Sequence, residues 1–304
     1  MKQTTIAIIG VGNVGATTAF ALMLQDVAAE ILLVDVDENR CRGELYDLAD
    51  VLPFSKTAQI RVATSREAAQ ADIIIIAAGK KQEPGQERSA LAHTNAKIVE
   101  AVITTLVPIN PQAMILVITN PVDTMTHVVQ RVSGLSHSQV FGTGTFLDTQ
   151  RLRGYIARTL AIAENSVDAY VIGEHGPTQV VAWSSADIAG QPLNNFPVLT
   201  QAMREQISQQ TRDKAAHIIA CKGSTYFGIA ACAATLCSYI VYNKKQVAIV
   251  SCWQEQYQTY FSMPAVIGKN GIEDIIPITL NTEEQNKLTK SAQTVQNQLV
   301  SIVL

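Results

Sequence analysis

Four consecutive isoleucines, Ile73-Ile74-Ile75-Ile76, limit what this chain can become more than any other run in it. Neighbouring side chains of a strand point to opposite faces. An unbroken β-branched run therefore needs cover on both sides, which is the situation of a parallel sheet packed between helices. The same character recurs at Ile6 to Ile9, Ile31 to Val34, Ile60 to Val62, Ile115 to Ile118 and Val140-Phe141, with helical periodicity between, at Val14 to Leu24, Arg40 to Leu52, Glu87 to Leu106 and Asp123 to Val132. Six strands with interposed helices predict a doubly wound parallel α/β domain over residues 1–142. Beyond it the pattern changes to long helices at about 147–163, 200–221 and 225–242, and to strand clusters near 168–190 and 246–280. A second domain of mixed α+β type is expected over 143–304, with no Pro- or Gly-rich linker before it.

Composition narrows the partners. At 47% apolar and 16% charged residues the chain has ample material for a core. A net charge of -3, with no basic run longer than Lys80-Lys81 or Lys244-Lys245, leaves no electrostatic footprint for nucleic acid or an anionic membrane. Small soluble metabolites are the expected partners. Phe227 to Val241 is nearly apolar but shorter than the roughly 20 residues that cross a bilayer, so it reads as a buried helix. Met1-Lys2-Gln3-Thr4-Thr5 runs directly into a strand, without the layout of a signal peptide, and a cytoplasmic location is expected. Cys41, Cys221, Cys232, Cys237 and Cys252 are odd in number and form no Cys-x-x-Cys pair, which predicts reduced structural thiols and no metal.

Chemistry first shows in Gly10-Val11-Gly12-Asn13-Val14-Gly15, between the Ile6 strand and the Val14 helix. Such a motif gives a tight turn, backbone approach to a pyrophosphate and close helix-strand packing. Alone it is a weak signal. Asp35, at the end of the next strand and twenty residues after Gly15, supplies the carboxylate a ribose requires, so a Rossmann site is expected. Asp35 and Asp37 would repel a 2′-phosphate, which favours NAD over NADP.

Two further constellations are ambiguous on their own. Gly79-Lys80-Lys81-Gln82-Glu83-Pro84-Gly85-Gln86-Glu87-Arg88 follows a buried strand and suits either a hinged lid carrying Arg88 or a charged solvated loop. His175 lies between Gly173 and Gly176 just past an Ala169 to Ile172 strand, where small neighbours leave an imidazole approachable for proton exchange. Asp148 and Arg151 stand three apart on the first turn of a helix, able to face one crevice or to form a surface ion pair.

Taken together, six ordered segments carry a resemblance over essentially the whole chain. They are Gly10 to Gly15, Gln82-Glu83-Pro84-Gly85 through Arg88, Thr119-Asn120-Pro121-Val122-Asp123, Gly142 through Arg153, Gly173-Glu174-His175-Gly176, and Lys222-Gly223-Ser224-Thr225-Tyr226-Phe227-Gly228-Ile229. The chain resembles the lactate and malate dehydrogenase family, most of all its bacterial-type L-lactate branch. The resemblance implies that His175 exchanges the proton with the substrate oxygen, Asp148 orients the imidazole, Arg151 grips the substrate carboxylate, and Arg88 polarises the carbonyl. It further implies Asn120 near nicotinamide and substrate, Thr225 at the substrate pocket, Ile229 against the nicotinamide ring, Gly79 beside the cofactor, and a cis bond before Pro121. A homotetramer, or at least a dimer, is implied as well.

Substrate choice is expected to turn on Gln82, where malate members of the family place an arginine for a second carboxylate. A neutral amide favours pyruvate and L-lactate, with a branched 2-oxo acid as alternative and malate behind it; a noncatalytic relative is the reading from another class. Three positions depart from the family pattern. Pro177 stands where Asp is usual and Ala90 where an acid or amide is common, which would make His175 easier to deprotonate. Allosteric bacterial relatives bind fructose bisphosphate with an arginine and a histidine seven residues before the catalytic one. Here the pair is Arg153 and Asp168, and activation by that ligand is expected to be absent.

Overall fold

A computed structural model describes residues 4–81 and 88–302. Its first half alternates β1 (Thr5–Ile9), α1 (Asn13–Leu24), β2 (Glu30–Val34), α2 (Glu38–Ala49), β3 (Gln59–Val62), α3 (Ser65–Ala68), β4 (Ile73–Ile76), α4 (Arg88–Leu106), β5 (Met114–Val117), α5 (Val122–Ser133) and β6 (Val140–Gly142). These six strands are parallel, in the order β3-β2-β1-β4-β5-β6 expected of a doubly wound sheet. All four isoleucines of β4 are buried, and their alternate side chains enter two separate clusters, Ile73 and Ile75 one, Ile74 and Ile76 the other. Burying each contributes about 1.5–3 kcal/mol. The helix expected over Arg40 to Leu52 instead begins at Glu38, because Asp37 caps it by accepting the Arg40 amide at 3.0 Å. Leu52 falls in a separate 3-10 turn with Pro53.

The second half comprises α6 (Phe146–Leu160), two short hairpin-like pairs, β7 (Val171–Ile172) with β8 (Val180–Val181) and β9 (Asp187–Ile188) with β10 (Gln191–Pro192), then α7 (Gln201–Lys222), α8 (Phe227–Val241), β11 (Gln246–Gln254), β12 (Thr259–Gly268), β13 (Gly271–Ile275) and α9 (Thr282–Ser301). The main sheet does not stop at residue 142. Strand β11 pairs antiparallel with β6 through Ser251 and Gly142, and β12 and β13 extend it to nine strands. Helix α8, the apolar run too short for a membrane, packs on α1, and its Cys232, Ala233, Leu236, Cys237 and Ile240 share a core with Ala19, Leu22 and Met23. The sheet and this helix pair tie the two halves of the chain together. Among the described residues no helix is long and apolar enough to cross a membrane.

Helix α9 carries only scattered apolar residues and went unread in the sequence. Its start is a capping box: Asn281 accepts the Glu284 amide at 2.9 Å and Glu284 accepts the Asn281 amide at 3.1 Å. Leu288, Ala292 and Val295 form its buried stripe.

Candidate active site

The glycine motif meets three different steric demands. Gly10 has φ +96°, a left-handed backbone that favours glycine, and any side chain there would run into the Ala78 backbone. A side chain on Gly15 would strike the carbonyl oxygen of Gly10, so this glycine permits the close approach of α1 to β1. Gly12 differs: a Cβ placed there meets nothing within 4 Å. The protein itself gives no reason for glycine at that point, whereas a pyrophosphate seated on the start of α1 does. Next to it, Asp35 accepts the Val11 amide at 2.6 Å and the Asp37 amide at 3.0 Å, which holds its carboxylate beside the turn. Asn13, in the first turn of α1 just ahead of Val14, accepts from Arg40 at 3.1 Å and donates to Ser224 at 3.3 Å. That second bond brings the loop carrying Thr225 up to the glycine turn. These residues fit a dinucleotide.

Gly79 is the exposed residue where the chain leaves β4, and a side chain on it would press on Thr119. Beyond it, buried Asn95 of α4 accepts the Lys80 amide at 2.8 Å and donates to the carbonyls of Lys80 at 3.1 Å and Asn120 at 2.7 Å. This one side chain ties Lys80 to the Asn120 loop. It escaped the sequence reading, since an asparagine inside a helix gives no local signal of such a role. Gln82 lies outside the described residues. Arg88 opens α4, and its side chain is likewise outside them.

Helix α6 sets the positions of the acid-base group. Thr145, Thr149 and Arg153 recur every four residues along one face and bind in turn the Val171 carbonyl, the Val171 amide at 3.0 Å and the Ala169 carbonyl at 3.1 Å. The 169–172 segment is thereby held along the helix. It passes to Gly173, which pairs with Ser262 of β12 through two 2.9 Å bonds at φ +85°, and the turn delivers His175 back over the start of α6. His175 Nδ1 lies 2.7 Å from Asp148 Oδ2, and Arg151 donates to Asp148 Oδ1 at 3.0 Å. The ion pair that could have been a surface one is interior: the side chains of Asp148 and Arg151 are 3% and 12% exposed. Asp148 sits in the first turn of α6, where the helix dipole favours an anion.

The charges follow from this packing. Burial pulls the His175 imidazole down, but the charge and hydrogen bond of Asp148 and the charge of Asp123 outweigh it, leaving the group above its ordinary value. Burial pushes Asp148 up, yet His175 and Arg151 together hold it below the usual carboxylate range. Pro177 and Ala90, the departures expected to ease loss of the His175 proton, are both exposed.

Thr225 precedes α8, and Ile229 in its first turn packs partly buried against the main core. A side chain on Gly228 would touch Leu147 at 3.2 Å, so the starts of α8 and α6 are in near contact and Thr225 and Ile229 border the end where Asp148 and Arg151 stand. Asn120 is exposed at the end of β5, and its bond to Pro121 is cis, as the resemblance implies. The five cysteines are free; Cys221 is exposed and the others are buried.

The comparisons agree with this layout. Residues 4–142 match the model of the lactate/malate dehydrogenase NAD binding domain, and residues 145–303 that of the family's alpha/beta C-terminal domain. The chain is 43% identical to L-lactate dehydrogenase A of Rhizopus oryzae over 97% of its own length and 92% of that protein's, and 35% identical to L-lactate dehydrogenase 1 of Clostridium acetobutylicum over 99% of each. The fold superposes on the minor L-lactate dehydrogenase of Enterococcus mundtii with a TM-score of 0.95 at 30% identity, covering 100% of both chains. A lactate dehydrogenase from a deep-sea metagenome gives 0.94 at 31% over 99% of each. With a cofactor turn, an acid-base pair and a guanidinium in this arrangement, and family matches across both halves, the chain belongs to the lactate/malate dehydrogenase family.

Proposed function

We propose that this protein is an NAD-dependent L-lactate dehydrogenase, interconverting pyruvate and L-lactate, with residues 1–142 holding the dinucleotide and 143–304 the substrate. The observation that carries the reading is the buried chain of contacts from Arg151 through Asp148 to His175, which pairs a proton donor with an anion grip. Bound NAD supplies or takes the hydride. Gly10, Gly12, Asn13, Val14 and Gly15 would seat its pyrophosphate, Asp35 its ribose, and Gly79, Asn120 and Ile229 its nicotinamide end.

His175 gives its proton to the keto oxygen in reduction and takes one from the hydroxyl in oxidation. Asp148 keeps the imidazole turned and stabilises its charged form. Arg151 holds the substrate carboxylate with a planar fork that lysine would lack. Arg88 polarises the carbonyl, Thr225 and Asn120 line the pocket, and Gln82 selects a neutral substrate tail over a second carboxylate. The match to L-lactate dehydrogenases at 35–43% identity favours pyruvate over the other 2-oxo acids.

A homotetramer, or a dimer, in the cytoplasm completes the proposal; Phe20 and Leu24 of α1, at 41% and 54% exposure, supply apolar surface for a second copy. Steady-state oxidation of NADH with pyruvate, oxaloacetate, phenylpyruvate and 2-oxoisocaproate tests the activity. Pyruvate is expected to give the highest kcat/KM; turnover of none of the four would make the chain a noncatalytic relative.

A further inference from the structure

The turn that carries His175 is held by two polar side chains of α9, Ser291 and Gln298, on the face that also buries Leu288, Ala292 and Val295. Seven residues apart, they stand about two helical turns from each other and share that face. Ser291 accepts the Glu174 amide at 2.7 Å, and a side chain on Gly173 would strike its hydroxyl oxygen at 2.6 Å. The one hydroxyl proton of Thr178 goes to Glu174, so in the 3.2 Å contact between Thr178 and Ser291 it is Ser291 that donates. Glu174, 3% exposed, also accepts the Thr178 amide at 3.3 Å and the Gln298 side chain at 3.1 Å.

Position 298 has a chemical reason to be glutamine. Glu174 accepts on both of its oxygens, so the amide must turn its NH2 toward Glu174 and its oxygen away. That oxygen takes the proton of the fully buried Thr124 hydroxyl on α5 at 2.7 Å. Glutamate here would repel Glu174, methionine would offer no donor, and asparagine falls one methylene short. We propose that Gln298 is a positioning residue for the reaction: by bridging Glu174 to Thr124 it sets where the main chain presents the His175 imidazole. The proposal rests on the reading of His175 as proton carrier.

The contacts divide the work of holding the histidine. Asp148 restrains the ring at Nδ1, whereas Ser291 and Gln298 restrain the turn from which the ring projects. A proton-transfer distance depends on both, and a misplacement of about 1 Å can cost about 10²-fold in rate. The donors to Glu174 are all neutral, so losing Gln298 leaves a buried carboxyl oxygen without a partner and a reason for the turn to shift. Arg151 and the Gly10 to Gly15 turn make none of these bonds. Substrate and cofactor binding should therefore keep their strength when the network is cut.

Gln298→Met removes both bonds at nearly constant length. The kcat for pyruvate reduction should fall about 10- to 100-fold, while KM for pyruvate and the Kd of NADH stay within about twofold. An unchanged kcat, with only the thermal midpoint lowered, marks a merely structural role and overturns the proposal. A second design exchanges the partners, combining Glu174→Gln with Gln298→Glu. The new amide at 174 would donate to the new carboxylate at 298, with Thr178 and Thr124 still donating to their present neighbours. Each substitution alone should lower kcat, and the pair should restore it to within about threefold; no restoration overturns the proposal. Whichever design folds, judged by quenching of its fluorescence on NADH addition, decides the matter. In the His175→Asn background Gln298→Met should cost nothing further. If His175→Asn alone leaves the rate nearly intact, His175 is not the proton carrier and the proposal falls with that reading. If it is slow and Gln298→Met lowers it again by the same factor, only the role of Gln298 fails.

Discussion

His175 and Asp148 are joined by a 2.7 Å contact between Nδ1 and Oδ2, and this bond leaves Nε2 as the ring nitrogen that can meet substrate. Reduction of pyruvate needs the imidazolium. Because the folded group lies above 6.5, its ordinary value, reductive activity is full below that pH and is lost as pH rises through the raised value, while lactate oxidation gains over the same interval. Asp148→Asn removes the charge and disturbs the tautomer. We expect its alkaline limb at lower pH and kcat/KM down by about 10²- to 10⁴-fold, read from pH-rate profiles.

Gly12 separates cofactor binding from folding. Its φ of -75° is open to any residue and a Cβ there touches no protein atom. Gly12→Ala should leave the thermal midpoint nearly unchanged while weakening NADH binding by about 1–3 kcal/mol, the usual cost of overfilling a packed contact. Gly15→Ala, pressed against Gly10, should lower the midpoint itself. Differential scanning calorimetry with NADH titration distinguishes the two.

Specificity is assigned to Gln82. Gln82→Arg should raise kcat/KM for oxaloacetate relative to pyruvate by at least about tenfold, the scale of one well-placed charge-assisted bond. An unchanged ratio would remove Gln82 from the substrate pocket.

Arg153 and Asp168 line one surface cavity, with Nη2 3.8 Å from Oδ1, while Arg153 also binds the Ala169 carbonyl. The guanidinium is already engaged, and the carboxylate, 57% exposed, repels an incoming phosphate. Adding fructose 1,6-bisphosphate should leave half-saturation by pyruvate unaltered in a steady-state assay.

Legibility followed the strength of the local pattern. The β4 isoleucines and the Gly10 to Gly15 turn announce themselves, because burial on two faces and steric contact with backbone admit few other residues. His175, Asp148 and Arg151 were found as parts, yet their contact depends on the Thr145, Thr149 and Arg153 stripe of α6, whose bonds reach more than fifteen positions along the chain. Asn95 was not read as holding the site's loops, since it works through main-chain partners that no spacing reveals. The α9 start was missed for another reason: its capping box precedes a polar helix rather than an apolar run. The continuity of the sheet past Gly142 hinges on a single pairing with Ser251, far away in sequence.

The central claim is that His175 carries the proton, and single-turnover oxidation of NADH by pyruvate in His175→Asn tests it most directly. With NADH binding retained, the rate of that turnover should fall by about 10²- to 10⁴-fold and lose its alkaline limb. A rate within a few-fold of the unsubstituted enzyme, with the limb intact, would contradict the account.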